Sequence, residues 1–482
     1  MATLATPMIT RENPARPSET VGQVRGDDPA SVRSAVKRAA AAQTAWAARS
    51  LEERTRIVLA AIDRAADQAP ELGRLLSREM GKLLPDCLGE LRFARALAHD
   101  LAARAARLLP DQPRGEGPGR RVVRRRPCGV IAAIVPWNAP IILAMTKIAP
   151  ALISGNAVVV KPSPLSPLAL SALITAIAAN LPDPVLHVVN GGAEVGEALV
   201  GAAEITKVAF TGGTAVGGAV LRQASARFLP CVMELGGNDP LVVLDDFDPT
   251  PEAMEAIVWG TFLNAGQVCM AAKRLLVPQA MVPRFTDAYV DVARRLFRLG
   301  DPTAEGVTMG PLISAAARGQ IAALAEDSAR RGGTVIDLLE PGDRTPDDGY
   351  FLPPRLVTGL GGDAPLVAEE QFGPIVPITG YRDEAEMLQL ANAGDLGLSA
   401  SVWTADGDRG WALVGRIRAG LCLVNAHNRS GFAFDLPFGG IGSSGFGREY
   451  GDEGLLEYSQ LQSMHAPAQR AGGGAAYPTT GT

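Results

Sequence analysis

The sequence predicts an α/β protein whose first large unit is an open, doubly wound parallel sheet. Two observations carry that prediction. Short apolar runs alternate with helix-like stretches from Val130 to Leu244, and Phe210-Thr211-Gly212-Gly213-Thr214-Ala215-Val216-Gly217 carries a strand directly into a glycine-rich helix start. Uninterrupted apolar runs suit strands covered on both faces, as in sheets flanked by helices. Ligands in such folds bind beyond the carboxyl ends of the strands. A chain of 482 residues exceeds one ordinary core and implies two or three domains.

Taken in order, residues 28–110 are rich in Ala, Leu, Arg and Glu, which favour helix. Ser50-Leu51-Glu52-Glu53 reads as a capping box opening a helix through Ala66, and Pro70 forces a break. Further helices are expected over Glu71–Met80 and Asp86–Leu108, with alanine-rich faces against a sheet. Gly115, Gly117 and Gly119 then lead into RRVVRRRPCG, a basic run that reads as a solvated face or an edge strand. Next come the apolar runs VIAAIVPWN, AVVVKPS, PVLHVVNGG, KVAFTGG and PLVVL, with helices at Ile141–Leu152 and Leu168–Ala179. A second mixed segment follows from Ala272 to about Tyr458, with helices near Val282–Leu299 and Ala315–Arg331. The last strand-like piece is Leu461–His465, and the Gly-, Ala- and Pro-rich chain from Ala466 reads as disordered.

Composition excludes several functions. Hydrophobic residues at 47% and charged residues at 20% describe an ordinary globular protein, and a net charge of -5 argues against a nucleic-acid partner. No apolar run approaches the length of a membrane span, and MATLATPMITRENP lacks the apolar centre of a secretory signal. Five cysteines, Cys87, Cys128, Cys231, Cys269 and Cys422, are scattered and odd in number. They form neither a disulfide framework nor a zinc pattern, and a reducing cytoplasm fits them. The histidines His99, His187, His427 and His465 are equally dispersed, so no metal site is expected.

The stretch Met233–Arg274 concentrates the chemistry. It opens with MELGGN and closes with NAGQVCMAAKR, so Glu234 and Cys269 sit among glycines and amides. A thiolate is a good nucleophile, a carboxylate can activate water, and glycine admits backbone N–H groups to a developing oxyanion. Spacing alone leaves the alternative that Cys269 is a small buried apolar residue. Gly-Gly after a strand is likewise compatible with an ordinary turn. Gly440, Gly442 and Gly445 match GxGxxG, but no apolar strand precedes them and too little chain follows for a βαβ unit.

These motifs, with PWN at Pro136–Asn138, VVVKPSP from Val158, EEQFGP from Glu369 and PFGGIGSSGFGRE from Pro437, resemble the aldehyde dehydrogenase superfamily in order and interval. The resemblance covers nearly the whole chain. It implies a cofactor-binding domain over 1–112 and 129–235, a catalytic domain over 236–456, an oligomerisation arm over 113–128 and 457–468, and a tail over 469–482. It implies that Cys269 attacks an aldehyde, that Asn138 and the Cys269 N–H hold the oxyanion, and that Glu234 activates the water that hydrolyses the thioester. Lys147 and Glu449 match a proton relay, although both would serve equally as surface ion-pair partners, and Asn138 has a plain alternative as a turn residue.

For the cofactor, the resemblance places Val135, Trp137, Lys161 and Ser163 beside the adenosine, and Gly212, Gly213 and Gly217 at the diphosphate. Leu235 and Phe372 fall near the nicotinamide and Glu370 at its ribose. NAD is the expected cofactor and NADP stays open, because Pro164 stands where an acidic residue often holds the adenosine ribose. Gly442 replaces a frequent lysine. Ala139, Leu143, Thr146, Val268, Met270, Phe432 and Phe438 match pocket positions and imply a roomy, uncharged site for medium-sized aliphatic or aromatic aldehydes. The resemblance further implies a homodimer or homotetramer. Three rivals remain: a CoA-acylating relative, disfavoured by Glu234; a non-catalytic cofactor-binding protein; and a thiol hydrolase, for which no histidine is assignable as base.

Overall fold

A computed structural model describes residues 8–115 and 119–467. The helix-forming lead becomes four helices, Pro29–Ala48, Leu51–Ala65, Ala69–Met80 and Leu84–Leu108. Ser50 caps the second by accepting from the Glu53 N–H at 3.1 Å. The reciprocal half of the expected box is absent, since the Glu53 carboxylate pairs with Arg49 at 2.5 Å instead. Pro70 lies in the first turn of the third helix and Pro85 in that of the fourth, where a missing N–H costs nothing. Both helices therefore begin earlier than the sequence suggested. Alanines such as Ala35, Ala39, Ala94 and Ala98 are fully buried in the same core as Ile131 and Val158, so small side chains let these helices close on the sheet. Trp46 fixes one contact, donating its indole N–H to the Leu152 carbonyl at 2.9 Å.

The apolar runs form two sheets. In the first, the strands lie in the order Gly445–Phe446, Cys231–Glu234, Ile205–Thr211, Val130–Ile134, Ala157–Lys161 and Leu186–Val188. All pairs are parallel except that of Gly445–Phe446 with Cys231–Glu234. Strand order reverses between Val130–Ile134 and Ile205–Thr211, which opens a crevice beyond Ile134 and Thr211. The second sheet runs Thr334–Asp337, Arg355–Thr358, Ile375–Tyr381, Arg274–Pro278, Pro240–Val243, Ser399–Trp403 and Leu421–Val424. The run PLVVL thus leaves the first alternation for the second sheet. Gly236 and Gly237 make that departure possible, because a Cβ on Gly236 would collide with the Glu370 carboxylate, and one on Gly237 would lie 2.8 Å from Leu398.

The basic run is the middle strand of a third, three-stranded sheet, not an edge. Gly119–Pro127 pairs antiparallel with Ser459–Pro467 along its whole length and with Gln112–Pro113 on the other side. Val122 is buried, while Arg120, Arg121 and Arg124 stay exposed, which reconciles a paired strand with so many charges. Ala466 and Pro467 belong to this sheet, so order extends past the point expected from composition. The tail expected over 469–482 lies outside the described residues. An N-terminal hairpin, Met8–Asn13 with Arg16–Arg25, carries no strong turn signal and was not foreseen. Among the described residues no helix is long and apolar enough to cross a membrane, and no group of His, Cys, Asp and Glu is arranged to hold a metal ion.

Candidate active site

Glu234 ends the strand Cys231–Glu234, in register with Thr211 on one side and Gly445 on the other. Its side chain is 2% exposed and neither carboxyl oxygen has a hydrogen-bond partner. Burial, reinforced by Glu449 and opposed by Lys147, holds this carboxyl well above the usual range. The loop Pro437–Glu449 covers it closely: a Cβ on Gly439 would sit 2.6 Å from its Oε1. Gly442 and Gly445 of the same loop have φ of 60° and 111°, and a side chain on Gly445 would collide with the Met233 carbonyl. The GxGxxG match thus serves close backbone packing over a carboxylate, not a phosphate cradle.

Cys269 follows a strained turn. Asn264, Ala265 and Gly266 all adopt left-handed backbone, with φ of 52°, 54° and 73°. For Ala265 that costs about 1–2 kcal/mol, so the surroundings must hold it. Gln267 does so by donating to the Asn264 carbonyl at 3.1 Å and accepting from the Ile313 N–H at 2.9 Å. The Cys269 side chain is half-buried. Burial first, then Asp239 and Glu370, push it up to about 12, with Lys273 opposing and Glu234 adding a smaller push.

Asn138 is 7% exposed and its amide donates to the Gln267 carbonyl at 3.1 Å. This bond spans distant parts of the chain, which a local turn residue would not make. The neighbouring helix, Pro140–Ile153, is anchored by Glu90: one carboxyl oxygen accepts from the Ile141 and Ile142 N–H groups at 2.8 and 3.1 Å, the other from Lys82 at 2.5 Å. A buried anion at a helix N-terminus complements its dipole and its free donors. Sequence reading missed Glu90, since nothing in its spacing tells a capping acid from a surface one.

Lys147 and Glu449 are not surface residues. Both are fully buried, with Nζ and Oε1 2.5 Å apart, and Lys147 also donates to Thr211 Oγ1 at 2.7 Å and the Leu143 carbonyl at 3.0 Å. Glu449 Oε2 has no partner.

The crevice at the strand-order reversal is a cleft of about 820 Å³. Val135, Trp137, Lys161, Ser163, Gly212 and Gly213 line it, joined by Pro164. Gly192, Gly196, Glu197 and Arg222 line it too and were missed, although the Gly-Gly after PVLHVVN was a usable signal. A second cleft of about 710 Å³ shares Trp137 and adds Glu370 and Phe372, whose ring meets Trp137 edge-on at 5.6 Å. Two predicted residues sit elsewhere. Gly217 does not line either cleft; a Cβ there would collide with Leu235, so the pair provides close packing below the helix start. The residues fit a dinucleotide. The helix Thr214–Ser225 has no side-chain cap and Gly213 faces open space, leaving backbone donors free for a diphosphate. Burial lowers the Lys161 ammonium to about 8, with Glu194 opposing.

On the other side of Cys269 the expected pocket residues meet an aromatic cluster. Phe432 packs on Phe438 at 6.0 Å and on Tyr450 at 4.4 Å, and Phe93 reaches Phe432 at 5.7 Å and Phe434 at 4.7 Å. Val268 is half-buried and Met270 is 8% exposed, both against the same core. Ala139 precedes the helix Pro140–Ile153, Leu143 is half-buried, and Thr146 is buried with its hydroxyl given to the Leu143 carbonyl at 3.0 Å. Phe93, Phe434 and Tyr450 extend this cluster beyond the residues expected from the sequence. No sequence pattern links these three, which lie on a helix and two separate loops.

The comparisons agree with this geometry. The sequence profile of the aldehyde dehydrogenase family matches residues 3–464. A vanillin dehydrogenase from Amycolatopsis sp. is 36% identical over 440 residues, covering 90% of this chain and 88% of its own. A betaine aldehyde dehydrogenase from Brucella anthropi is 34% identical over 453 residues, covering 93% and 91%. The crystal structure of an NAD-dependent aldehyde dehydrogenase from Sinorhizobium meliloti superposes with a TM-score of 0.92 at 31% identity, covering 99% of this chain and 94% of that one. With a thiol, a desolvated carboxyl and an amide converging beside a dinucleotide-sized cleft, and with relatives matched along its whole length, this chain belongs to the aldehyde dehydrogenase family.

Proposed function

We propose that this enzyme oxidises an aldehyde to its carboxylic acid with NAD through a covalent intermediate on Cys269, and that water releases the product. The observation that carries the mechanism is the desolvated, unpartnered Glu234 carboxyl within electrostatic reach of the Cys269 thiol. The Cys269 thiol gives its proton to solvent, and the thiolate so formed attacks the aldehyde carbon. Asn138 uses one amide hydrogen on the Gln267 carbonyl, which leaves the second to share the oxyanion with the Cys269 N–H. NAD, held by the cleft residues named below, would supply the hydride acceptor for the oxidation of the adduct on Cys269 to a thioester. Glu234 then takes a proton from the attacking water, and a raised pKa makes it a stronger base once ionised. The free Oε2 of Glu449, held by buried Lys147, receives that proton next.

Val135, Trp137, Lys161, Ser163, Gly212 and Gly213 would hold the adenosine and diphosphate, with Glu370 and Phe372 at the nicotinamide end. Lys161 and Arg222 border the same cleft as Pro164, so NADP is the second cofactor to test. Apolar and aromatic lining supports medium-sized aliphatic or aromatic aldehydes. Purified enzyme should reduce NAD with hexanal and benzaldehyde far better than with succinic semialdehyde, and without CoA. Faster turnover with the acid aldehyde would sink the pocket assignment, and an acyl-CoA product would favour the acylating rival. Asn138→Ala is expected to lower kcat by about 10²–10³-fold with little change in KM; an effect on KM alone would remove Asn138 from the oxyanion site.

The two large sheets support a division into cofactor-binding (1–112, 129–235) and catalytic (236–456) domains. The three-stranded sheet supports an arm for a homodimer or homotetramer in the cytoplasm. Its outer strand exposes Leu461 at 64%, a side chain that a partner subunit would cover. Sedimentation of the full chain tests this: a monomer at micromolar concentration would contradict it.

A further inference from the structure

Four residues after the nucleophile lies Lys273, 2% exposed. Its ammonium donates to the Gln371 carbonyl at 2.8 Å and the Gly266 carbonyl at 3.5 Å, and sits 4.8 Å from the centre of the Phe372 ring. Its own backbone N–H donates to the Asp239 carbonyl at 2.9 Å, and its carbonyl accepts from the Gln371 amide at 2.7 Å. Its side chain thus ties the strained turn before Cys269 to the loop carrying Glu370, and its backbone N–H adds the loop after Glu234. Burying an ammonium is costly unless its charge is used, and hydrogen bonds to carbonyls alone are available from a neutral amide.

The charges facing the thiol show what that use is. Asp239, Glu370 and Glu234 surround Cys269 and each disfavours a thiolate; the Tyr450 hydroxyl also faces it, and Lys273 opposes the acids. Lys273 in turn is faced by Asp239, Glu370, Cys269 and the buried His427, which burial lowers to about 4 and so keeps neutral. Asp239 Oδ2 accepts from Ser399 at 2.5 Å while Oδ1 has no partner, so the cluster is not closed by its own hydrogen bonds.

We propose that Lys273 is a positioning residue for the reaction inferred above: its ammonium, held between the turn before the nucleophile and the loop carrying Glu370, supplies the positive charge that lets the Cys269 thiol ionise. The proposal rests on Cys269 being the reactive thiol. It concerns a charge acting through Cys269, not a group that touches the substrate.

The test is alkylation of the full-length enzyme by iodoacetamide across the pH range in which the thiol titrates, with the labelled residue mapped and Cys269→Ala run in parallel. Lys273→Gln keeps a donor for the Gln371 and Gly266 carbonyls and removes only the charge. Its profile, and that of Lys273→Met, is expected to move up by about one pH unit or more, with alkylation about tenfold slower on the rising limb. Lys273→Arg should overlay the wild type. A folded Lys273→Gln whose profile overlays the wild type overturns the proposal and leaves Lys273 a structural staple. If both neutral variants lose their thermal transition, Lys273→Arg decides: a profile displaced despite its retained charge overturns it equally. Undiminished labelling in Cys269→Ala would instead overturn the assignment of the nucleophile itself.

Discussion

Replacing Cys269 with alanine is expected to reduce aldehyde oxidation by about 10⁵-fold or more while leaving dinucleotide binding intact. No other group in the site can take its place. Cys128, Cys231 and Cys422 are distant from the Asn264–Gln267 turn in sequence and hydrogen-bond, where they bond at all, to carbonyls of their own surroundings. Cys87 is fully buried beside Lys82, and burial drives its thiol far upward. Losing the Cys269 sulfur removes no packing that the cleft depends on, because the cleft walls come from the first sheet. Cofactor binding, read from quenching of Trp137 at the junction of the two clefts, should therefore persist. A variant that keeps more than a trace of turnover would show that the covalent route is wrong.

The second large effect is expected from Glu234→Gln. The first half-reaction does not use this carboxyl, so one equivalent of NADH should form rapidly, followed by a steady state slowed by about 10²–10³-fold. An acyl group should be trapped on Cys269 and visible by mass spectrometry of the intact chain. Equal losses in burst and steady state would place Glu234 outside the hydrolytic step. The pH dependence has a definite sign. The folded pKa is raised by burial and by Glu449, so the carboxyl becomes a base only as pH climbs through that raised value, above the ordinary carboxylate range. Deacylation should rise with pH in the wild type and lose that rise in Glu234→Gln.

The same shift has a consequence for stability. A carboxyl whose folded pKa lies above its unfolded value favours the folded state while it stays protonated, and that advantage is lost as pH rises through the folded pKa. Glutamine carries no such penalty. The Tm of Glu234→Gln relative to wild type should therefore increase as pH is raised from the ordinary carboxylate range upward, while activity falls. A difference in Tm that does not depend on pH would mean that Glu234 ionises in the fold as freely as in the unfolded chain.

Much of this protein was legible in its residues. The strands Val130–Ile134, Ala157–Lys161 and Ile205–Thr211 follow from short apolar runs, and the helices Val282–Leu296 and Ala315–Arg330 lie within the stretches expected to be helical. These features depend on neighbours a few positions away, which is the range over which propensity and periodicity act. The residues of the site were legible through motifs: Glu234, Cys269 and Asn138 are named by their local sequence. The departure of PLVVL to a second sheet was not legible, because an apolar run carries no label saying which sheet it will join. The basic run Gly119–Pro127 reads as a solvated face or an edge strand; its arginines are solvated, but its pairing was not legible, because its partner Ser459–Pro467 lies at the far end of the chain.

What only the tertiary structure decided is the chemistry's environment. Lys147 and Glu449 read equally as surface partners until the fold removed both from water, and Lys273 gave no signal at all until three loops closed around it. Phe93 joins Phe432 and Tyr450 only because the helix Leu84–Leu108 packs against the loop Pro437–Glu449 and its neighbours. The sequence determined which groups are present and in what local conformation. Their protonation depends on which charges and how much water surround them, quantities that long-range packing alone sets, and so the tertiary structure decided how those groups can act.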